Sequence, residues 1–176
     1  MSDFVISRPV PVASIPAGGV EREIVATEVE RRALARAYGL LEVNAFAATV
    51  SARPEPRGIV TVEGRVRAEI VQACVVSLEP VSQTIDEPIF ARYAPAGRSA
   101  AGAAAEAGEG IEEPPELMSG PDLDLGAIAA EHFVLAIDPY PRAPGAELPD
   151  GQAGQVAPDS PFAKLAALRA RLPDRG

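Results

Sequence analysis

The sequence predicts an α+β fold: a small antiparallel sheet, curved or barrel-like, with an early helix, a second helix after a disordered acidic loop, and a C-terminal helix. Three observations carry this. Apolar residues recur with a period of two through successive runs between Leu40 and Tyr93. Thr27-Glu-Val-Glu30 has the form of a helix capping box, the threonine accepting from the third residue's N–H while the glutamate reaches back. Asp124 stands where an N-cap belongs, ahead of a helical pattern from Leu125 to Ile137 that Pro139 stops.

In chain order, Phe4 to Val12 alternates weakly and contains Pro9 and Pro11, which suits an edge strand because proline cannot donate to a ladder. Gly18-Gly19 is a turn, and Val20 to Ala26 a second short strand. The helix after Thr27 places Val29, Leu34, Ala35 and Tyr38 on one face, and Gly39 ends it. The next strand is read with Leu41, Val43, Ala45, Ala47 and Thr49 on one side, alternating with Glu42, Asn44, Phe46 and Ala48, and it breaks at Arg53-Pro-Glu-Pro56. Gly58 to Leu78 is a long strand-like run. Val60, Val62, Val66, Ala68 and Ile70 face one way, and Thr61, Glu63, Arg65, Arg67 and Glu69 the other.

Within that run Gly64 marks a bulge or a close approach. Beyond Ile70 the alternation is lost, so a bulge resets the register or both faces are buried. Val81 to Tyr93 is a further strand carrying Ile85, Ile89 and Phe90. Residues 94–115 abandon periodicity; glycines interrupt the alanines and glutamates make the stretch acidic, so it reads as a disordered, solvated loop. A second loop, rich in Pro, Gly and Ala, spans 139–159. Ser160-Pro-Phe162 then opens the last helix, with Phe162, Leu165 and Leu168 on one face.

Composition limits the classes available. The 176 residues are 47% hydrophobic but only 5% aromatic, with no Trp, so the core must be aliphatic. No apolar run approaches the roughly 20 residues of a membrane helix, and the N-terminus lacks the pattern of a signal peptide. The expectation is a cytoplasmic protein without membrane contact. The single cysteine, Cys74, excludes an internal disulfide.

The net charge of −9 is unevenly spread. Residues 1–100 carry 11 Arg against 12 acidic residues, whereas residues 101–176 carry 5 basic against 13 acidic ones. The whole chain is a poor generic nucleic-acid binder, since such binding depends on phosphate neutralisation. A local face remains open as an RNA or partner contact: Arg65 and Arg67 project from one side of the long strand, and Arg53, Arg57 and Arg92 join them if the sheet curls. Interleaved Thr61, Glu63 and Glu69 favour an ordinary solvated face, and this reading places no stacking aromatic on it. The acidic second half suits a basic partner instead, through Glu106, Glu109, Glu112 and Glu113.

No catalytic constellation emerges. Cys74 has no basic partner nearby in sequence and reads as a small buried hydrophobe. His132, the sole histidine, reads as a partly exposed helix residue rather than a general base. Asp122 and Asp124 could hold Mg²⁺, but capping already accounts for Asp124. Neither Gly18-Gly19 nor Gly108-Glu-Gly110 matches a nucleotide fingerprint.

The chain nevertheless resembles a family through two segments and what lies between them. Cys74, Ser77, Leu78 and Pro80 come first, at the end of the long strand-like run, and are followed by a strand ending Tyr93-Ala-Pro95. After the acidic stretch come Asp124, Leu125, Gly126 and Glu131, then Pro139-Tyr-Pro141 and Ser160-Pro-Phe-Ala-x-Leu165. This order is similar to the YceD family, the large ribosomal RNA subunit accumulation proteins, over residues 2–172, which the resemblance makes one domain spanning 1–172. It implies a non-enzymatic ribosome-biogenesis factor that supports accumulation or processing of 23S rRNA. The implied partner is rRNA or a pre-ribosomal large-subunit particle, with no cofactor. The alternative is an acidic holding module for a basic ribosomal protein. Many members carry Cys-x-x-Cys where this chain has Cys74-Val-Val-Ser77, which invites a zinc reading. One Cys and one His do not make four zinc ligands.

Overall fold

The structure, a computed structural model, describes residues 5–95 and 114–147. The predicted C-terminal helix, residues 96–113 of the acidic loop with Glu106, Glu109, Glu112 and Glu113, and residues 148–159 of the second loop lie outside the described residues. The chain divides into a unit Met1–Ala143, which holds every element below, and a unit Pro144–Gly176 described only over 144–147.

Seven strands and two α-helices are described. They follow in the order β1 (Pro9–Pro11), β2 (Val20–Val25), α1 (Glu28–Tyr38), β3 (Glu42–Pro54), β4 (Val60–Ala73), β5 (Pro80–Ala94), β6 (Glu116–Leu117), β7 (Asp122–Asp124) and α2 (Leu125–Leu135). Strands β2-β3-β4-β5-β6 form one sheet in that order, antiparallel except for the β5–β6 pair, and β1 pairs with β7 in a separate ribbon. The fold is therefore α+β. The sheet is open rather than barrel-like, since β2 and β6 stand at its two edges and do not pair.

Long-strand alternation decides which face is buried. On β4, Val60, Val62, Val66, Ala68 and Ile70 are at most 2% exposed. The pattern does not lapse beyond Ile70: Gln72 takes the next inward position and Cys74 the one after, both buried. A polar residue at an inward site disguised a continuing register, and β4 contains neither bulge nor doubly buried segment there. On β3 the sequence reading of the faces is wrong past Asn44. A bulge between Val43 and Ala45 shifts parity by one, so Phe46, Ala48, Val50 and Ala52 point inward while Ala45, Ala47 and Thr49 face out. Gly64 marks close approach of neighbouring strands: a Cβ there would sit 2.2 Å from the Thr49 carbonyl oxygen.

The inner face is closed by the helices and the ribbon. The capping box of α1 forms as read, with Glu30 N–H donating to Thr27 Oγ1 and Thr27 N–H to Glu30 Oε2, and Gly39 ends the helix in the left-handed region at φ 67°. Only Leu34 of the predicted face is fully buried; Val29 is 72% exposed and Tyr38 also stands in solvent. Helix α2 is more deeply set. Leu125, Ile128, Ala129 and Phe133 are buried as expected, and Phe133 meets Phe46 edge to face, ring centroids 5.4 Å apart. Ile137, read as helical, lies beyond the helix end and packs partly against the core.

Asp124 does more than cap. Its Oδ1 accepts from the N–H groups of Gly126 and Ala127, both at 3.0 Å, and from Arg8 N–H at 2.6 Å, while Oδ2 accepts from Ser7. One carboxylate thus ties the N-terminal strand to the start of α2. Gly126 permits this approach, because a Cβ there would meet the Arg8 nitrogen at 2.9 Å.

Candidate functional site

Two regions hold the residues singled out by sequence. The first is the turn that follows β4. Cys74 N–H donates to Glu79 O at 2.8 Å and Leu78 N–H to Cys74 O at 3.0 Å, closing a loop in which Leu78 takes φ 63°. The Cys74 sulfur lies inside this loop, buried, and accepts from Ser77 N–H at 3.3 Å and Val76 N–H at 3.4 Å. A third donor, Ala143 N–H, arrives at 3.3 Å from the segment after α2. The Ser77 side chain first, then these backbone donors, hold the thiol well below its usual range, at about 6.

The same segment is laced to the sheet along its length. Val75 N–H donates to Pro141 O, Gln72 Nε2 to Asp138 O and Gln83 Nε2 to Ala136 O, all at 2.9 Å. So the structure brings the start of the Cys74–Ser77 motif, through Cys74 and Val75, against Pro141 and Ala143 at the end of the Pro139-Tyr-Pro141 stretch, two motifs more than 60 residues apart. Pro80 opens β5, while Leu78 is exposed and Glu131 sits on the exposed side of α2. Among the described residues no three His, Cys, Asp or Glu side chains gather in a metal-holding group. The donors present do not fit zinc: one sulfur, already surrounded by three N–H groups, faces no other soft ligand.

The second region is the outer face of the sheet. Residues opposed across a strand pair share a face, and the register aligns them in rows. Arg53, Thr61 and Arg92 form the row nearest the β3–β4 connection, followed by Ser51, Glu63 and Phe90, then Thr49, Arg65 and Pro88, then Ala47, Arg67 and Asp86. Arg53, Arg65, Arg67 and Arg92 therefore do share one side. Arg57 sits at the tip of the connection, in the left-handed region at φ 66°, where a non-glycine residue is uncommon.

These cations are partly paired. Asp86 receives Arg65 at 2.6 Å and Arg67 at 3.3 Å, and Glu55 receives Arg92 at 3.6 Å. Arg65 holds the Asp86 carboxyl below the usual carboxylate range, and Asp86 raises the guanidinium in return. Both partners of the Arg65–Asp86 bridge are about half exposed, a setting in which water and salt screen an ion pair and leave it weak. A phosphate can compete with a contact of that strength.

Phe90 corrects the expectation that the arginine face has no aromatic. On β5 it stands on the face opposite Ile85 and Ile89, 62% exposed, while those two are 2% exposed. Parity held the signal, since 90 differs from 85 and 89 by odd steps. The face that seemed to lack an aromatic has one. His132 fixes the strand beneath it: Phe90 N–H donates to Nε2 at 3.4 Å, and Nδ1 lies 3.0 Å from Ile128 O.

An open groove of about 380 Å³ among the described residues, lined by Val29, Arg32, Ala35, Arg36, Leu40 and Leu41, brings together no nucleophile and base. No helix among the described residues is long and apolar enough to cross a membrane.

These features define an α+β domain whose inner sheet face carries two helices and whose outer face presents arginines, carboxylates and one aromatic ring. The family model described as "Large ribosomal RNA subunit accumulation protein YceD" matches residues 62–169, and the chain belongs to that family. The family's description implies a role in accumulation of large-subunit ribosomal RNA. No curated protein and no solved structure matches the chain.

Proposed function

We propose that the protein is a cytoplasmic ribosome-biogenesis factor that supports accumulation or processing of 23S rRNA by binding, without catalysing a reaction. The observation that carries this reading is the family match over residues 62–169. The partner is rRNA or a precursor particle of the large subunit, met through the arginine side of the sheet. Arg53, Arg57, Arg65, Arg67 and Arg92 are the contacts, because guanidinium forks match phosphate oxygens and the register aligns four of them. In a deletion strain, 23S rRNA should fall relative to 16S rRNA and recover on complementation. Equal levels of both would remove the claim.

The uneven charge favours a second reading, in which the acidic half, with Glu106, Glu109, Glu112 and Glu113, holds a basic ribosomal protein. Pull-down after nuclease treatment separates the two. One basic ribosomal protein recovered without RNA supports the second reading, and precursor 23S rRNA recovered after stripping of proteins supports the first.

A further inference from the structure

Phe90 is a large apolar ring held in water on a rigid element. Its strand is paired to β4 along the whole of β5, and its N–H is anchored by His132. Glu63 lies directly across, Thr61 and Arg65 diagonally, with Pro88 and Arg92 two residues away on the same strand. Charge is not uniform over this face. Toward β2 it is acidic, Glu21 and Glu23 lying across from Ser51 and Thr49. Toward the β3–β4 connection Arg53, Arg57, Arg65 and Arg92 outnumber Glu55, Glu63 and Asp86, with Glu55 pairing Arg92 and Asp86 pairing Arg65.

An aromatic face flanked by guanidinium groups on a sheet recognises an unpaired base and the phosphates beside it; a base stacked within a duplex cannot reach such a ring. A protein partner fits less well. Protein interfaces centre on a desolvated apolar cluster ringed by occluding contacts, and here one ring and one proline lie among charged side chains. We propose that the connection end of the outer face binds single-stranded RNA. Phe90 stacks on one unpaired base, and Arg53, Arg57 and Arg65 contact the flanking phosphates. This rests on the reading that the protein acts by binding rRNA, and adds which form of RNA and which residue reads it.

The test uses the full chain and fluorescein-labelled 16-nucleotide single-stranded RNAs tiling 23S rRNA, followed by anisotropy. Phe90→Ala should weaken binding about tenfold, the scale of one lost base–aromatic stack, while Phe90→Trp keeps wild-type affinity. Arg65→Gln should weaken it less and lower the salt slope by about 0.7, the contribution of one phosphate on a single strand. Equal affinity of Phe90→Ala and wild type overturns the site, as does wild-type protein that binds none of the RNAs. Loss of a protein partner from the nuclease-treated Phe90→Ala pull-down, with RNA affinity unchanged, also overturns it. The broader reading is judged separately, by whether the wild-type gene restores 23S rRNA in the deletion strain. If Phe90→Ala restores it equally, the stacking site falls and the family role stands.

Discussion

Along β4, Val60, Val62, Val66 and Ile70 point inward and are nearly inaccessible, while Glu63, Arg65, Arg67 and Glu69, one residue away, stand in water. The two faces come from the same backbone and the same ladder, so what separates them is surroundings. Inward side chains sit in a close-packed cluster shared with Leu34, Phe46 and Phe133, where removed volume leaves a cavity that neighbours cannot fill. Outward side chains trade one solvated partner for another at little cost. Stability therefore belongs to one side of the sheet, and the outer side is free to vary toward binding.

The largest effect that could break this division lies at Phe133. It is fully buried and meets Phe46 edge to face, so Phe133→Ala should cost about 3–5 kcal/mol in urea unfolding. A cost near 1 kcal/mol would mean that the inner face tolerates loss as the outer one does. Next comes Asp124, whose carboxylate accepts from two helix N–H groups and from Arg8. Asp124→Ala should cost about 1–2 kcal/mol, with Asp124→Asn closer to wild type. Identical unfolding of all three proteins would show that the cap does not hold the N-terminal strand to α2.

The Cys74 turn belongs to the inner side although it carries a titratable group. Its thiol is held at about 6 against an unfolded value near 9. A depressed thiol stabilises the fold fully above the unfolded value and loses that contribution as pH falls through the folded one. Melting temperature should therefore climb between pH 6 and pH 9 in the wild type, and less in Cys74→Ala. Parallel profiles in the two proteins would show that the N–H donors around the sulfur do not favour the thiolate.

The same division governs how much could be read from sequence. Local chemistry was legible: Thr27 and Glu30 announce the start of α1, Asp124 that of α2, and the β4 faces follow from strict alternation. What failed depended on partners distant in the chain. The bulge between Val43 and Ala45 inverts β3, yet nothing within that stretch distinguishes it from a regular strand. Gln72 occupies an inward position because Asp138 O receives its amide, a contact made from 66 residues away. The ribbon pairs Pro9–Pro11 with Asp122–Asp124 across most of the chain. Of the outer face, the shared side of Arg65 and Arg67 was legible from alternation alone. Phe90 escaped notice because the face was read from the long strand alone, and the ring comes from the neighbouring strand, which register brings opposite Glu63.

The smallest expected effect on stability sharpens the comparison most. Asp86 bridges Arg65 and Arg67 from a half-exposed position, where solvent screens the pairs, so Asp86→Asn should leave the urea unfolding midpoint close to that of the wild type. The two arginines would then lose their shared carboxylate. If the outer face serves binding, the affinity for single-stranded RNA should rise and its salt dependence steepen, since released guanidinium groups engage phosphate more fully. On the inner face, loss of a partner weakens the protein; here it should leave the fold intact and strengthen the complex. Anisotropy and urea unfolding on the same preparation decide this together. Marked destabilisation would move Asp86 to the structural side, and unchanged or weaker RNA binding would remove Arg65 and Arg67 from the interface.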